Sequence, residues 1–181
     1  MVERKVLVHD PNACTGCMYC MLACSTYNEG ATSLSKARLQ IIRHEGHALT
    51  KTTEEDELVF TFIGCQQCEE PACAVVCPSE ALKRDLVTGA MVHHIEKCLG
   101  CRLCLSQCPF GAISFNQAKQ RIFKCELCKG DPVCVKFCPV EALKLLPATE
   151  VPLAKRAGMA KKIMESVIKK ERAVSDQGGT Q

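Results

Sequence analysis

The hydrophobic residues of this chain occur in short runs, and turn-forming residues separate each run from the next. Val6 and Val8 alternate with polar positions and predict an edge strand that ends at Asp10 and Pro11. Further strand-like runs lie at 39–42 and 58–63, as a hairpin across 86–92, and as a strand pair at 113–115 and 121–123. The pattern favours an α+β fold built from short strands and short helices.

A six-residue pattern recurs three times in the second half of the chain. It is Cys-Pro-x-x-Ala followed by Leu or Ile, and it occupies residues 77–82, 108–113 and 138–143. Proline suits the first position of a helix, where its missing N–H costs nothing. Each copy therefore predicts one short helical turn that enters a strand, with its alanine packed inward.

Composition indicates that hydrophobic contact alone does not hold this chain together. Of its 181 residues, 47% are hydrophobic when Cys is included, only 4% are aromatic, and Trp is absent. Cys accounts for 16 residues, about 9%, a level typical of a scaffold built on its cysteines. We therefore expect the cysteines to supply much of the stability of the domain.

The redox compartment decides how these cysteines are used. Residues 1–10 contain neither an apolar stretch of signal-peptide length nor a twin-arginine pair. No run approaches the ~18 apolar residues of a membrane span, and the longest, 58–63, is strand-sized. The sequence thus predicts a cytoplasmic protein with reduced thiols and no membrane span. Export of the folded chain on a partner that carries the signal stays open.

All sixteen cysteines fall into four groups of four. The spacing is C-x2-C-x2-C-x3-C in the first and third groups, C-x2-C-x4-C-x3-C in the second and C-x2-C-x5-C-x3-C in the fourth. Proline follows the last cysteine of every group except the first. The groups are Cys14, Cys17, Cys20 and Cys24; Cys65, Cys68, Cys73 and Cys77; Cys98, Cys101, Cys104 and Cys108; and Cys125, Cys128, Cys134 and Cys138.

This spacing is typical of iron–sulfur ligation. C-x2-C-x2-C-x3-C-P is the bacterial ferredoxin run, in which the first three thiolates hold one cluster and the fourth ligates another. Structural zinc uses two C-x2-C pairs separated by a longer loop, and disulfides would need an oxidising compartment. Because sixteen thiolates match four clusters of four ligands, the sequence predicts four [4Fe–4S] clusters bound by all sixteen cysteines.

The segments outside the cysteine groups differ in character. Residues 25–64 form an insertion between the first two groups, and its acidic run 54–57 fits a solvated loop better than a docking patch. A four-cluster domain at 1–148 is followed by a basic amphipathic helix and tail at 149–181. This helix fits either the surface of its own domain or a partner. Nucleic-acid and membrane-surface binding are disfavoured because no aromatic residues alternate with the basic ones.

The formal net charge of +3 changes sign once the predicted clusters are counted. An oxidised [4Fe–4S] cluster with four thiolates carries roughly −2, so four of them bring the total to about −5. We expect the basic residues beside the ligands to compensate this charge locally; they are Lys97, Arg102, Lys124 and Lys129. No His is needed as a ligand. The sequence contains no nucleophile elbow, P-loop or GxGxxG, so we predict no catalytic residue.

The number, spacing and order of the groups resemble those of four-cluster ferredoxin-like subunits of complex oxidoreductases. These include electron-transfer subunits of the dimethyl sulfoxide reductase and formate dehydrogenase type. They also include small iron–sulfur subunits of tungsten aldehyde oxidoreductases, class II benzoyl-CoA reductases and formate hydrogenlyase-like complexes. The resemblance covers about Val6 to Leu146 and, without a C-terminal membrane helix, favours the short soluble branch. Cys24 is followed by Ser25 rather than Pro, as is often so in the family's first group.

The resemblance implies a tandem bacterial-type 2×[4Fe–4S] ferredoxin-like fold, in which the first group pairs with the fourth and the second with the third. The four implied ligand sets are named a to d. They are Cys14, Cys17, Cys20 and Cys138 (set a); Cys24, Cys125, Cys128 and Cys134 (set b); Cys65, Cys68, Cys73 and Cys108 (set c); and Cys77, Cys98, Cys101 and Cys104 (set d). No ligand position is substituted, so each set is expected to hold [4Fe–4S] rather than [3Fe–4S].

The resemblance also implies a function in anaerobic metabolism. It predicts a non-catalytic electron-transfer subunit that relays single electrons to or from a large catalytic subunit. A tungsten or molybdenum pterin enzyme is the expected partner, with room for a further electron-donor or electron-acceptor subunit. Four clusters suit a wire inside a complex, since a mobile carrier needs only one or two. A free polyferredoxin shuttle and a structural factor that uses clusters as staples stay open.

Metal analysis tests the iron–sulfur prediction. Anaerobically purified protein is expected to contain about 16 iron atoms and about 16 acid-labile sulfides per chain, because each of four cubane clusters holds four of each. Colorimetric iron and sulfide assays beside elemental analysis measure both. One or two zinc ions per chain without labile sulfide would contradict the prediction.

Overall fold

The computed structural model describes residues 2–44 and 59–151. Its residues up to Leu146 form one compact unit, and a second unit begins at Pro147. The predicted basic helix lies outside the described residues except for its first positions, and the acidic run of the insertion lies wholly outside them. The described architecture is therefore essentially that of the first unit.

The described part of the chain is a small mixed α/β structure made of short elements. Its longest helix has 11 residues, and no strand exceeds six. The helices are α1 Tyr19–Glu29, α2 Ala72–Val75, α3 Leu103–Ser106 and α4 Val133–Lys136, with 3-10 turns at Leu34–Lys36, Ile95–Lys97 and Leu127–Gly130. The strands are β1 Lys5–His9, β2 Leu39–His44, β3 Val59–Gly64, β4 Leu82–Arg84, β5 Met91–His93, β6 Ile113–Asn116, β7 Arg121–Lys124 and β8 Leu143–Pro147.

The strands pair two by two, and no larger sheet forms among the described residues. The pairs β2–β3, β4–β5 and β6–β7 are antiparallel and join neighbours along the chain. In contrast, β1 pairs with β8, the last described strand. The backbone N–H of Asp10 also donates to the carbonyl of Ala142 at 2.8 Å. This pairing brings the start of the cysteine-rich region beside its end.

The predicted strands are confirmed, with one shift in the hairpin at 86–92. Leu86 and Val87 lie in the connecting turn and are exposed, so the strands begin further from the turn than the hydrophobic run indicates. The carboxylate of Asp85 accepts hydrogen bonds from the backbone N–H groups of Val87 and Thr88. An aspartate that bonds its own backbone in this way favours a turn over a strand.

The three Cys-Pro-x-x-Ala segments are β-turns rather than the predicted helical turns. The carbonyl of Cys77 accepts a hydrogen bond from the N–H of Glu80 at 3.2 Å, and Glu80 has a φ of 50°. A helix does not continue through this left-handed conformation. The same bond recurs between Cys108 and Gly111 and between Cys138 and Glu141. Short helices form instead around the third cysteine of groups two to four, in α2, α3 and α4.

The hydrophobic core consists of two clusters of side chains, and each surrounds cysteines. The larger cluster joins β1, α1 and the β2–β3 ribbon to cysteines drawn chiefly from groups one and four; its members include Leu7, Met21, Ile41 and Phe60. The smaller cluster lies among cysteines of groups two and three, and includes Leu82, Met91, Ile113 and Ile122. The insertion therefore packs onto the half of the domain that contains groups one and four.

A close contact ties this insertion to the first cysteine group. Gly16 lies between Cys14 and Cys17 with a φ of +67°, and a Cβ added there would lie 2.1 Å from a ring carbon of Phe60 in β3. The ring is 7% exposed and packs in the larger cluster, so it has little room to move aside. Only glycine fits between this ring and the cysteine loop.

Replacement of this glycine tests the contact. Gly16→Ala is expected to destabilise the domain by about 2–5 kcal/mol, because the methyl overlaps Phe60 and Ala is strained at positive φ. Gly30→Ala is the matched control: its φ is +65°, but nothing lies within 4 Å of the added Cβ. The control should lower the free energy of unfolding only by the strain of alanine at positive φ, about 1–2 kcal/mol. The midpoint of thermal bleaching of visible absorbance measures both, and equal midpoints would count against the Phe60 contact.

Candidate cluster-binding sites

Set a lines an open cavity of about 320 Å³. Three of its cysteines come from the loop before α1 and the first turn of that helix, and Cys138 comes from the turn before β8. Positive φ values at Gly16 and Met18 let the loop curl around the cavity. The β1–β8 pair places the two segments side by side, so thiols from the two ends of the region meet.

Sets c and d line two further cavities, of about 470 Å³ and 280 Å³. In set c, three cysteines of group two face Cys108 of group three. In set d, three cysteines of group three face Cys77 of group two. The exchange is reciprocal: the cysteine that precedes proline in each group leaves its own loop and lines the cavity of the other.

Set b lies where α1 packs against α4. Cys24 in α1 and Cys134 in α4 are both buried, and burial raises the pKa of both thiols. The pKa of Cys134 is raised further by the neighbouring sulfurs of Cys24, Cys125 and Cys128, and that of Cys24 by Cys128. These four thiols are therefore within electrostatic range of one another.

The structure thus brings together the cysteines of sets a, c and d around three cavities, and it places the cysteines of set b near one another at the packed helices α1 and α4. Ligation by each set stays a prediction. Within residues 2–44 and 59–151, no three His, Cys, Asp or Glu side chains converge as the ligands of a single metal ion do. The thiols are instead spread over the walls of the cavities.

Backbone N–H groups point at the sulfur of each cysteine that precedes proline. The N–H of Ala81 donates to Sγ of Cys77 at 3.3 Å. The equivalent bonds run from Ala112 to Cys108 at 3.4 Å and from Ala142 to Cys138 at 3.2 Å. The β-turn directs this N–H, four residues after the cysteine, back to the sulfur, and the alanine is buried. Such bonds stabilise negative charge on a ligand sulfur and are one factor that sets a cluster's potential.

Cys24 has no proline and obtains its hydrogen bonds differently. It lies inside α1, where its Sγ accepts from the backbone N–H of Arg38 at 3.2 Å and from the side-chain amide of Asn28 at 3.5 Å. Asn28 follows Cys24 by four residues on the helix, so helical spacing could have identified it. Arg38 comes from the insertion and contributes through its backbone, for which the sequence has no signal.

Burial makes several of these thiols resist ionisation. It raises the pKa of Cys20 and of Cys125 to about 12, and that of Cys104 to about 11. Cys77 differs: burial would raise its pKa, but hydrogen bonds from Ser79 and the Ala81 N–H outweigh burial and lower it. Metal ligation requires thiolate, so a bound cation must offset the cost of burying this charge. The soft thiols that line these cavities fit iron–sulfur clusters in this respect.

Comparison with known proteins identifies the class. The sequence profile of the 4Fe-4S dicluster domain matches residues 57–147, which contain the second, third and fourth cysteine groups. The chain is a member of this 4Fe-4S dicluster family. Its first group, at 14–24, lies outside the match.

Three curated relatives show where such chains occur. The chain is 34% identical over 81% of its length to the NADH-dependent phenylglyoxylate dehydrogenase subunit beta of Aromatoleum evansii, but spans only 31% of that subunit. It is 36% identical over 78% of its length to a subunit of the anaerobic dimethyl sulfoxide reductase of Escherichia coli K12, and spans 73% of that subunit. It is 31% identical over 82% of its length to the putative electron transport protein YsaA of the same organism, and spans 93% of it.

These relatives confirm the general class of function. The chain is related to iron–sulfur electron-transfer subunits of oxidoreductases. A solved structure of the benzoyl coenzyme A reductase complex BamBC with benzoyl-CoA aligns over 91% of the chain and 96% of its own, at 17% identity and a TM-score of 0.42. That likeness is too weak to define the fold further. No helix in the described residues is long and apolar enough to cross a membrane.

Paired substitutions test the composition of set a. Cys138→Ala and Cys17→Ala should remove or alter the same cluster signal, because the two thiols line one cavity although they belong to the fourth and first groups. Electron paramagnetic resonance of the reduced protein measures this. Cys101→Ala, in set d, is the control and should affect a different signal. Losses from Cys138→Ala and Cys17→Ala that do not overlap would contradict the shared set.

Proposed function

We propose that the protein binds four [4Fe–4S] clusters, one in each of sets a to d, in a tandem ferredoxin-like arrangement. We further propose that it relays single electrons through them to or from a large catalytic subunit. The observation that carries this proposal is the reciprocal exchange of cysteines. In sets a, c and d, three thiols from one group line a cavity together with one thiol from another group, and the four remaining cysteines make up set b.

Packing between sets supports a linear order of the clusters. Cys20 of set a lies in α1 and Cys134 of set b lies in α4, and these two helices pack against each other. Cys65 of set c packs against the buried side-chain cluster that contains Cys125 of set b. Cys73 of set c lies in α2, which packs against α3 with Cys104 of set d. We infer the order a–b–c–d.

Exposure at the two ends of this order supports a relay. Among the sixteen cysteines, Cys17 and Cys101 are exposed, and the others are buried or half-buried. Cys17 belongs to set a and Cys101 to set d, the two ends of the inferred order. Electrons could therefore enter at one end and leave at the other, since no cysteine of set b or set c is exposed. A carrier that picks up and releases electrons at one place would not need two exposed ends.

The protein residues have defined tasks in such a relay. A [4Fe–4S] cluster supplies a site that accepts and releases one electron. The cysteines would hold the clusters, and the N–H groups of Ala81, Ala112, Ala142 and Arg38 would stabilise the sulfurs without moving. The two hydrophobic clusters of the core pack around cysteines of all four sets and limit their contact with water. No proton transfer and no substrate-binding residue is required of this chain.

The identity of the partner rests on the relatives and the resemblance. The dimethyl sulfoxide reductase subunit fits a partner with a molybdenum or tungsten pterin, and the phenylglyoxylate dehydrogenase subunit fits an additional NADH-linked donor or acceptor subunit. We place the complex in the cytoplasm, where thiols stay reduced. A free polyferredoxin shuttle is the alternative function.

Anaerobic isolation of the full-length chain from its own cells distinguishes these functions. The chain is expected to copurify in a fixed ratio with a large subunit that contains tungsten or molybdenum, because a wire must stay docked at one end. Size-exclusion chromatography with mass spectrometry and metal analysis measures this. A fully clustered chain that elutes as a monomer, and reduces several unrelated acceptors equally well, would favour the shuttle instead.

A further inference from the structure

Lys124 is the most deeply buried charged side chain in the described part of the protein. It ends β7, directly before Cys125, and its side chain is among the largest that are almost fully enclosed, with 1% exposure. Lysine is almost never fully buried without a partner of opposite charge, because removing its ammonium group from water is costly. The burial of Lys124 therefore needs a physical reason.

Its contacts within the protein are neutral. The Nζ donates to the carbonyl of Met91 and, at 2.7 Å, to the carbonyl of Cys125. Among the described residues no carboxylate forms an ion pair with it. Two carbonyl dipoles satisfy donors of the ammonium group but do not balance its net charge.

The buried space that encloses the Lys124 side chain, the Lys124 slot, is shaped by a second buried polar side chain. Gln67 is fully buried, and its Oε1 accepts from the N–H of Met91 at 2.8 Å. Its Nε2 donates to the carbonyl of Cys125 at 3.2 Å. Gln67 thus holds the same two residues whose carbonyls bind Lys124. Because this hydrogen-bond network fixes the two carbonyls, it also fixes the position of the Lys124 ammonium group.

The slot lies at the junction of the two halves of the domain. Lys124 lines the cavity of set c together with Cys65, Cys73 and Cys108. Burial raises the pKa of Cys73 in set c and of Cys125 in set b, and the positive charge of Lys124 opposes this rise at both thiols. The ammonium group therefore stands beside set c, on the side that faces set b.

We propose that the positive charge of Lys124 raises the reduction potential of the cluster in set c. The inference rests on the proposed function, since it requires a cluster there. One-electron reduction adds a negative charge to an already anionic cluster. A fixed positive charge nearby stabilises the reduced form more than the oxidised form. Because the site is buried, solvent and salt screen this attraction weakly. The cluster in turn supplies the counter-charge that the buried ammonium lacks.

The test is a redox titration of the full-length, clustered protein, monitored by electron paramagnetic resonance. Lys124→Gln removes the charge but keeps an N–H donor for the two carbonyls. It should lower the equilibrium constant for reduction of the set c cluster at least tenfold, a shift of about 59 mV for one electron. The signal of this cluster is identified as the one that Cys68→Ala removes. The set d potential should change little.

Two further variants separate charge from structure. Lys124→Arg keeps the charge and should hold the potential near that of the wild type. Lys97→Gln removes the same charge beside Cys98 of set d, but Lys97 is exposed, so solvent should screen the effect. In Lys97→Gln, the reduction potential of the set d cluster should shift much less than that of the set c cluster does in Lys124→Gln.

The outcomes are distinguishable. A Lys124→Gln protein with full iron and sulfide but an unchanged set c potential would overturn the role of Lys124 and leave the proposed relay intact. Absence of clusters from the wild type would overturn the proposed function itself. If Lys124→Gln does not retain its clusters, Lys124→Met, which fills the apolar part of the slot, is titrated instead. Cluster loss in both variants, with retention in Lys124→Arg, would assign the residue to assembly and overturn the tuning proposal.

Discussion

Under the proposed ligation, the rest of this structure depends on one constraint: each set of three neighbouring thiols is completed by a fourth from another part of the chain. The secondary structure alone holds little together, since its strands pair only two by two and three of its helices have four residues each. The core is divided in two, and each part is built around cysteines. Under the proposed ligation, the covalent bonds to iron supply the long-range links that a larger hydrophobic core provides in other proteins of this size.

Electrostatics is the second theme, because the domain must accept negative charge in its interior. The groups that stabilise this charge are backbone N–H dipoles at the sulfurs and the enclosed ammonium group of Lys124. Three repeated turns aim an N–H at a sulfur, and the insertion supplies the same kind of bond to Cys24, whose helix offers no such turn. These groups are held by the fold before any charge arrives, so they need little rearrangement when an electron passes. This is the condition under which buried dipoles are most effective.

Most of the fold and the site could be predicted from local sequence signals. Alternation of apolar residues located the strands, and cysteine spacing with the family resemblance implied the four sets. The missed features depend on contacts between distant residues or on unmarked backbone geometry. Glu80 and Glu141 adopt positive φ where no glycine marks the position, so the turns after Cys-Pro were predicted as helical. The Arg38 N–H and the enclosure of Lys124 are likewise set by packing, which residue type does not reveal.

The reciprocal pairing of the groups has a consequence for biosynthesis. Sets c and d contain no residue beyond Cys108, whereas sets a and b need Cys134 and Cys138. All ligands of sets c and d are therefore synthesised before Cys134 and Cys138, which sets a and b require. At about 5–20 residues per second, on the order of ten seconds separates the emergence of the first group from that of the fourth. During that interval the first group is an open array of thiols, the state in which cysteines are most vulnerable to oxygen and to the wrong metal.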